Sequence, residues 1–338
     1  MKNIGIVGEG RMGSSIFNYL LDFQFNLVWV CHPEADIDKI SRQFGKRIKR
    51  SLDAGIIDKQ QYEQLSNTMI TKNQEDLQEC DLIIEAIPEI PALKKELFAG
   101  LDEIVNPGAV FASNSSSIYP GELSPGGVRA DKFIGMHFFY PVPLKNIVEL
   151  TITSFTSPET IARSETFLKA IKRQHITLTE QNSFILNRIF LDFQNAAFKL
   201  VQAGNCSYQQ MDHLVKDQFF PFGVFDFCDS VGLDTMLMSI RNYTHNYADK
   251  ESYSQLIDKL ASLVAEGRLG IKTQSGFYDY PLESFTPDIP ETSLAITDHL
   301  RKIWFNSCKY LCDSAKLPVA DSNHAIKEYF DLQSGPFE

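Results

Sequence analysis

The hexapeptide GEGRMG, Gly8 to Gly13, follows a short apolar run from Ile4 to Val7 and opens a helical pattern from Met12 to Phe23. Gly-x-Gly-x-x-Gly alone is a weak signal. Between a strand and a helix it prescribes a βαβ unit with a phosphate-binding turn. Gly8 permits the tight turn, Gly10 lets a pyrophosphate approach the backbone, and Gly13 lets helix and strand pack closely. The helix N-terminus favours the phosphate charge, so Arg11 and Met12 join the three glycines as candidate dinucleotide contacts.

The rest of the first half keeps that alternation. Leu27 to Cys31, Leu82 to Ala86 and Ala109 to Ala112 read as buried strands, and Leu93 to Ile104 as a helix. The βαβα order predicts a parallel sheet with helices on both faces. A long helical excursion between the second strand and Met69 carries a basic run, Lys46, Arg47, Lys49 and Arg50. From Phe184 the pattern changes. Phe184 to Ala203, Tyr208 to Gln218, Leu233 to Tyr247 and Tyr253 to Ala265 are helical, with no strand alternation.

An internal repeat is also expected. The block from Phe190 runs helix, break, short helix with Asp212, then FPFGVFD; the block from Ile303 runs helix, break, short helix with Asp321, then QSGPFE. The predicted architecture is therefore an α/β Rossmann-type N-terminal domain (1–181), an all-α domain (182–281) and a second, partial helical repeat (282–338).

Composition bounds the function. A net charge of −11 argues against a generic nucleic-acid surface. No apolar run approaches the roughly 20 residues of a membrane span. The opening MKNIGIVGEG lacks a signal-peptide layout, so a cytoplasmic location is expected. The six cysteines form no Cys-x-x-Cys pair and no metal site is expected.

Candidate chemistry lies between Ser113 and Glu149. Asn114 to Ser117 follow a strand, a strand-like run from Phe133 to Met136 delivers His137, and a third from Ile147 to Ile152 carries Glu149. One histidine held by one carboxylate beside a serine cluster can move a proton at neutral pH.

The second strand ends in Cys31-His32-Pro33, where an NAD-binding unit usually carries Asp or Glu for the adenosine ribose. Loss of that acid removes repulsion toward a 2′-phosphate, which His32 would face, yet no Arg follows to grip it. NAD is the expected cofactor, with NADP not excluded. Glu9 sets a carboxylate beside the expected pyrophosphate, and solvent is the simplest place for it to point.

From residue 1 to about Tyr280 the chain resembles the 3-hydroxyacyl-CoA dehydrogenase family, including 3-hydroxybutyryl-CoA dehydrogenases. The resemblance is carried by GEGRMG, EAIPE (Glu85 to Glu89), SNSSS (Ser113 to Ser117), GMHFFYPVPLKNIVEL, FILNR (Phe184 to Arg188), PFGVFDFCDSVGLD (Pro221 to Asp234) and GRLGIKTQSGFYDY (Gly267 to Tyr280). It implies NAD(P)-dependent interconversion of 3-hydroxyacyl and 3-oxoacyl thioesters, with an acyl-CoA as substrate. His137 would exchange the 3-hydroxyl proton, and Glu149 would orient its ring. Ser116 and Asn187 would hold the reacting oxygen, in a cleft between the domains. Glu85, Lys94 and Lys272 match positions expected to touch the cofactor, and Asn114 and Tyr140 join them on that side.

Three departures stand around the expected ligands: His32, Tyr140 where the family usually has Asn, and Asn182-Ser183 where it has Pro-Gly. They leave room for a free hydroxy acid or a carrier-protein thioester as substrate, or for a cofactor-poor homologue without catalysis. Single-unit relatives end near Tyr280 and pair through their helical domains. The extension after it is expected to cover that surface and make this chain a monomer rather than a homodimer.

Overall fold

The computed structural model describes residues 1–124, 127–245, 249–282, 287–288 and 290–338. It divides into two compact units, Met1–Ser183 and Phe184–Glu338.

The first unit is built on one sheet. Its strands are β1 (Asn3–Val7), β2 (Asn26–Val30), β3 (Met69–Thr71), β4 (Leu82–Glu85), β5 (Val110–Ser113), β6 (Phe133–Phe138), β7 (Ile147–Ile152) and β8 (Gln174–Thr179). Their spatial order is β3-β2-β1-β4-β5-β6-β7-β8. All neighbours pair in parallel except β6 and β7. The helices are α1 (Arg11–Leu20), α2 (Ile37–Asp53), α3 (Lys59–Ser66), α4 (Pro91–Ile104), α5 (Pro120–Leu123) and α6 (Pro158–Ala170).

The central strands are largely apolar because both faces are covered. Ile4, Ile6, Leu82 and Ile84 pack on one face with Phe17, Leu20 and Trp29, while Val7, Ile83 and Phe111 pack on the other with Phe98 and Leu101. The strand order reverses at β1, which has β2 on one side and β4 on the other. Open α/β sheets bind ligands at such a switch point, beyond the C-terminal strand ends. GEGRMG leaves β1 at that place.

Two strands were not legible in the sequence. β3 is three residues long and half-buried, and β8 (QHITLT) carries polar residues on one side. β6 also runs two residues further than expected and takes His137 into the strand.

The second unit is helical: α7 (Ile185–Gln202), α8 (Tyr208–Gln218), α9 (Val224–Val231), α10 (Leu233–Thr244), α11 (Ser254–Ala265), α12 (Ser293–Ala315) and α13 (Val319–Phe330). The expected helix end at Tyr247 lies outside the described residues. α12 runs along α7. Trp304 of α12 meets Phe193, Phe220 and Phe330 with ring centroids 6.2, 5.0 and 5.0 Å away. Asp192 of α7 accepts from Tyr253 at 2.5 Å and from Ser307 of α12 at 2.8 Å. The described residues on either side of 281/282 thus belong to one unit, because the second hairpin shares the aromatic core of the first.

The repeat has a structural signature. Asp212 of α8 accepts the Phe225 N–H at 2.9 Å beside Gly223, where an added Cβ would lie 2.4 Å from the Asp212 side chain. Asn323 of α13 accepts the Phe337 N–H at 3.0 Å beside Gly335, where an added Cβ would lie 2.3 Å from the Asn323 side chain. The counterpart of Asp212 is therefore Asn323, not Asp321, since an amide oxygen accepts an N–H as a carboxylate does. Asp212 also accepts from Asp226 N and the Tyr278 hydroxyl, and burial pushes its carboxyl up to about 6.

Among the described residues no helix is long and apolar enough to cross a membrane, and no cluster of three or more His, Cys, Asp or Glu is placed to hold a metal ion. The cysteines are all buried and unbridged.

Candidate active site

Each glycine of the first turn is required for a different reason. Gly8 has φ +114°, and a Cβ there would lie 2.6 Å from Ala86 O. A Cβ on Gly13 would lie 2.0 Å from Gly8 O, so α1 packs against the turn at a distance only glycine permits. Nothing lies within 4 Å of a Cβ placed on Gly10. That open approach at a helix N-terminus fits a pyrophosphate. The turn is fastened from β2: Gly8 N–H donates to Val30 O at 2.9 Å, and the buried Trp29 indole N–H donates to Gly8 O at 2.8 Å.

The neighbouring candidates are sorted by this geometry. Met12 is partly buried and packs against the sheet core. The exposed Arg11 guanidinium lies 5.4 Å from the ring centre of Tyr140, which is 51% exposed. The loop after Tyr140 is tied to α1, since Val142 N–H donates to Ser15 Oγ at 3.0 Å. His32 is exposed, and its Nδ1 accepts from Glu34 N at 3.2 Å. Glu9 does not simply point to solvent: its Oε2 accepts the His32 N–H at 2.8 Å.

Behind the turn lies a buried ionic network. Lys94 is 1% exposed and Glu85 is fully buried. The Lys94 ammonium bonds Glu85 Oε1 at 2.5 Å, Glu89 Oε2 at 3.2 Å and Ile87 O at 3.2 Å. Burial alone would lower the Lys94 pKa, but Glu85 and Glu89 together raise it. Burial likewise pushes Glu89 up, and Lys94, Ser115 and Ser117 outweigh it and hold that carboxyl below its usual range. Glu85 and Lys94 therefore hold each other inside the protein.

This network shapes the serine loop. Ser113 Oγ donates to Glu85 Oε2 at 2.7 Å. Glu89 Oε1 accepts from Ser115 Oγ, Ser116 N, Ser117 N and Ser117 Oγ at 2.5, 3.0, 2.9 and 2.8 Å. Asn114 Oδ1 accepts the Phe138 N–H at 2.9 Å, which joins the loop to β6 one residue after His137.

On β6 and β7, His137 and Glu149 are paired directly across the antiparallel register. Directly opposite residues project to the same face of a sheet. Both side chains are buried, and His137 Nδ1 lies 2.9 Å from Glu149 Oε2. Facing a carboxylate, Nδ1 carries the proton, which leaves Nε2 with its lone pair to accept one. The Phe139 ring flanks the imidazole, with centroids 4.3 Å apart.

Two candidates belong to the second unit. Asn187, on the first turn of α7, donates from Nδ2 to the Tyr243 hydroxyl at 2.8 Å and accepts at Oδ1 from the Tyr329 hydroxyl at 2.6 Å. Lys272 is paired at 2.5 Å with Asp234, whose carboxyl it holds below the usual range against partial burial. Glu89, Trp29 and Tyr329 were not singled out from the sequence. Glu89 stands in the quoted EAIPE run just ahead of α4 and the serine cluster is suggestive beside it; nothing local marks Tyr329.

The family model "3-hydroxyacyl-CoA dehydrogenase, NAD binding domain" matches residues 3–181, and "3-hydroxyacyl-CoA dehydrogenase, C-terminal domain" matches residues 184–280. A 3-hydroxybutyryl-CoA dehydrogenase of Clostridioides difficile is 32% identical over 279 residues, which is 82% of this chain and 99% of that protein. The crystal structure of an (S)-3-hydroxybutyryl-CoA dehydrogenase from Ralstonia eutropha matches with a TM-score of 0.74 at 32% identity, over 83% of this chain and 100% of that one. A 3-hydroxybutyryl-CoA dehydrogenase structure from Escherichia coli matches with a TM-score of 0.82 at 16% identity, over 99% of this chain and 90% of that one. That last likeness is one of fold, and it extends through α13.

Replacing Lys94 with Met leaves the fully buried Glu85 without its cation. Such a loss costs about 3–5 kcal/mol. Urea unfolding of Lys94→Met is expected to show a loss of that size. A loss under about 1 kcal/mol would mean that Glu85 is neutralised in some other way.

Proposed function

The chain belongs to the 3-hydroxyacyl-CoA dehydrogenase family, an oxidoreductase family with an NAD-binding domain, and from that premise we propose that it interconverts 3-hydroxyacyl-CoA and 3-oxoacyl-CoA thioesters of the 3-hydroxybutyryl kind. The observation that carries this reading is the buried His137–Glu149 pair, linked through Asn114 to the serine loop. A nicotinamide dinucleotide, when bound, supplies or receives the hydride at C3.

The chain's own residues handle the proton and the oxygen. In the oxidative direction His137 Nε2 takes the proton from the 3-hydroxyl, and in reduction it returns it. Glu149 holds the imidazole in the tautomer that leaves Nε2 basic and stabilises the cation once it forms. Ser116 is assigned a hydrogen bond to the reacting oxygen, from a loop whose backbone Glu89 holds. Asn187 is assigned a second hydrogen bond to that oxygen. Its amide nitrogen has two N–H groups and Tyr243 takes one. The Tyr329 hydroxyl donates to the amide oxygen. The glycine turn, with Arg11 and the backbone of Met12, is assigned to the pyrophosphate, and Tyr140 and Asn114 to the nicotinamide side. Glu85 and Lys94 support that side from within. Lys272 is assigned to the cofactor from the second unit. The proposed location is the cytoplasm.

The α12–α13 hairpin lies on α7 within this chain, so we infer a monomer. Light scattering is expected to return the chain mass of 38.3 kDa, and twice that mass would contradict the inference.

The proton-transfer role is tested by His137→Ala. With acetoacetyl-CoA and NADH, turnover is expected to fall by about 10²–10⁴-fold. NADH affinity, read by calorimetry, is expected to stay near the wild-type value. Turnover close to wild type in His137→Ala would remove His137 from the chemistry.

A further inference from the structure

We propose that Glu9 supplies the carboxylate that reads the adenosine ribose in this chain, and that it makes the protein selective for NAD over NADP. The inference rests on the nicotinamide-dependent reading above and goes further, to the choice between the two dinucleotides.

In a Rossmann unit the second strand ends in an acid that binds the ribose hydroxyls and repels a 2′-phosphate. Here β2 ends at Val30 and is followed by Cys31, His32 and Pro33. The Cys31 side chain is buried, and the His32 ring takes the Glu34 N–H on Nδ1. Neither is an acid, so the expected group is absent from its usual position.

A carboxylate nonetheless stands at that strand end. β1 and β2 pair in parallel with Val7 opposite Val30, so the residues leaving the two strands are neighbours. Glu9 leaves β1, and its Oε2 accepts the backbone N–H of His32, the second residue past the end of β2. Its backbone is held as well, because Ser14 Oγ donates to Glu9 O at 2.7 Å. One oxygen of the carboxylate is bound to β2, and the group has further lone pairs. A vicinal diol is a pair of O–H donors that suits them. A 2′-phosphate in the same place would set two anionic groups against each other.

A cation stands nearby too: Lys72, just beyond β3, is exposed and acts on the Cys31 thiol with the opposite sign to Glu9. The carboxylate is the charged group hydrogen-bonded to the strand-end backbone, so it is the one with a defined position there.

Calorimetric titration with NADH and NADPH, without acyl substrate, tests the proposal free of turnover. Gln keeps the length of Glu and an oxygen for the His32 N–H but removes the charge. Wild type is expected to bind NADH at least about tenfold tighter than NADPH, and Glu9→Gln to lose about tenfold for NADH and bring the ratio near one. The double variant Glu9→Gln with His32→Asp is expected to regain the NADH preference, which a misfolded turn would not do. Equal or tighter NADPH binding by wild type overturns the proposal, as does a ratio that Glu9→Gln leaves unchanged while NADH still binds. Wild type binding neither nucleotide overturns the dehydrogenase reading along with it, and that outcome is distinct from the other two.

Discussion

The buried ammonium of Lys94 is the interaction on which the C-terminal edge of the sheet depends. It joins the end of β4, through Glu85, to the start of α4, through Glu89. Glu85 also takes the Ser113 hydroxyl at the end of β5, and Glu89 takes the N–H groups of Ser116 and Ser117. Asn114, inside that loop, holds the Phe138 N–H of β6. One cation between two carboxylates thus sets the path of the chain from β4 to His137. Charged groups inside a protein are stable only when paired and hydrogen-bonded. The serines supply the hydrogen bonds that complete the arrangement.

The antiparallel turn between β6 and β7 provides what a purely parallel sheet does not. It places His137 and Glu149 opposite each other across one register, so the pair forms without a contribution from a distant loop. Burial keeps water from competing for the imidazole. In the second unit the extension adds to the core and to the surroundings of Asn187. α12 and α13 close over α7 with Trp304 and Phe330, and α13 also delivers Tyr329 to Asn187.

Much of this was legible in the sequence where the signal is local. The glycine turn, the buried strands beside it and the helices α7, α8, α10 and α11 follow from periodicity and from glycine at defined spacing. The His137–Glu149 pair was legible because two strand-like apolar runs, one delivering His137 and one carrying Glu149, lie close together in the chain. What escaped was tertiary. β3 and β8 are short or polar, and only their partners make them strands. The pairing of Glu85 with Lys94 escaped because a sequence shows charges, not which of them neutralise one another inside. The repeat was assigned to Asp321 rather than Asn323 because the motif was sought as an acid, whereas its physical need is an acceptor oxygen. Glu9 was read toward solvent, since its partner is a backbone N–H on the adjacent strand end.

The central claim, that this fold transfers hydride to the third carbon of an acyl thioester, is tested most directly by following the hydrogen itself. NADH carrying deuterium at C4 of the nicotinamide, in each of its two stereoisomers, is incubated with acetoacetyl-CoA and the wild-type protein. The account predicts that deuterium from one stereoisomer alone appears at C3 of the 3-hydroxybutyryl-CoA product, in step with NADH loss. No deuterium at C3 from either stereoisomer, with NADH bound, would contradict it.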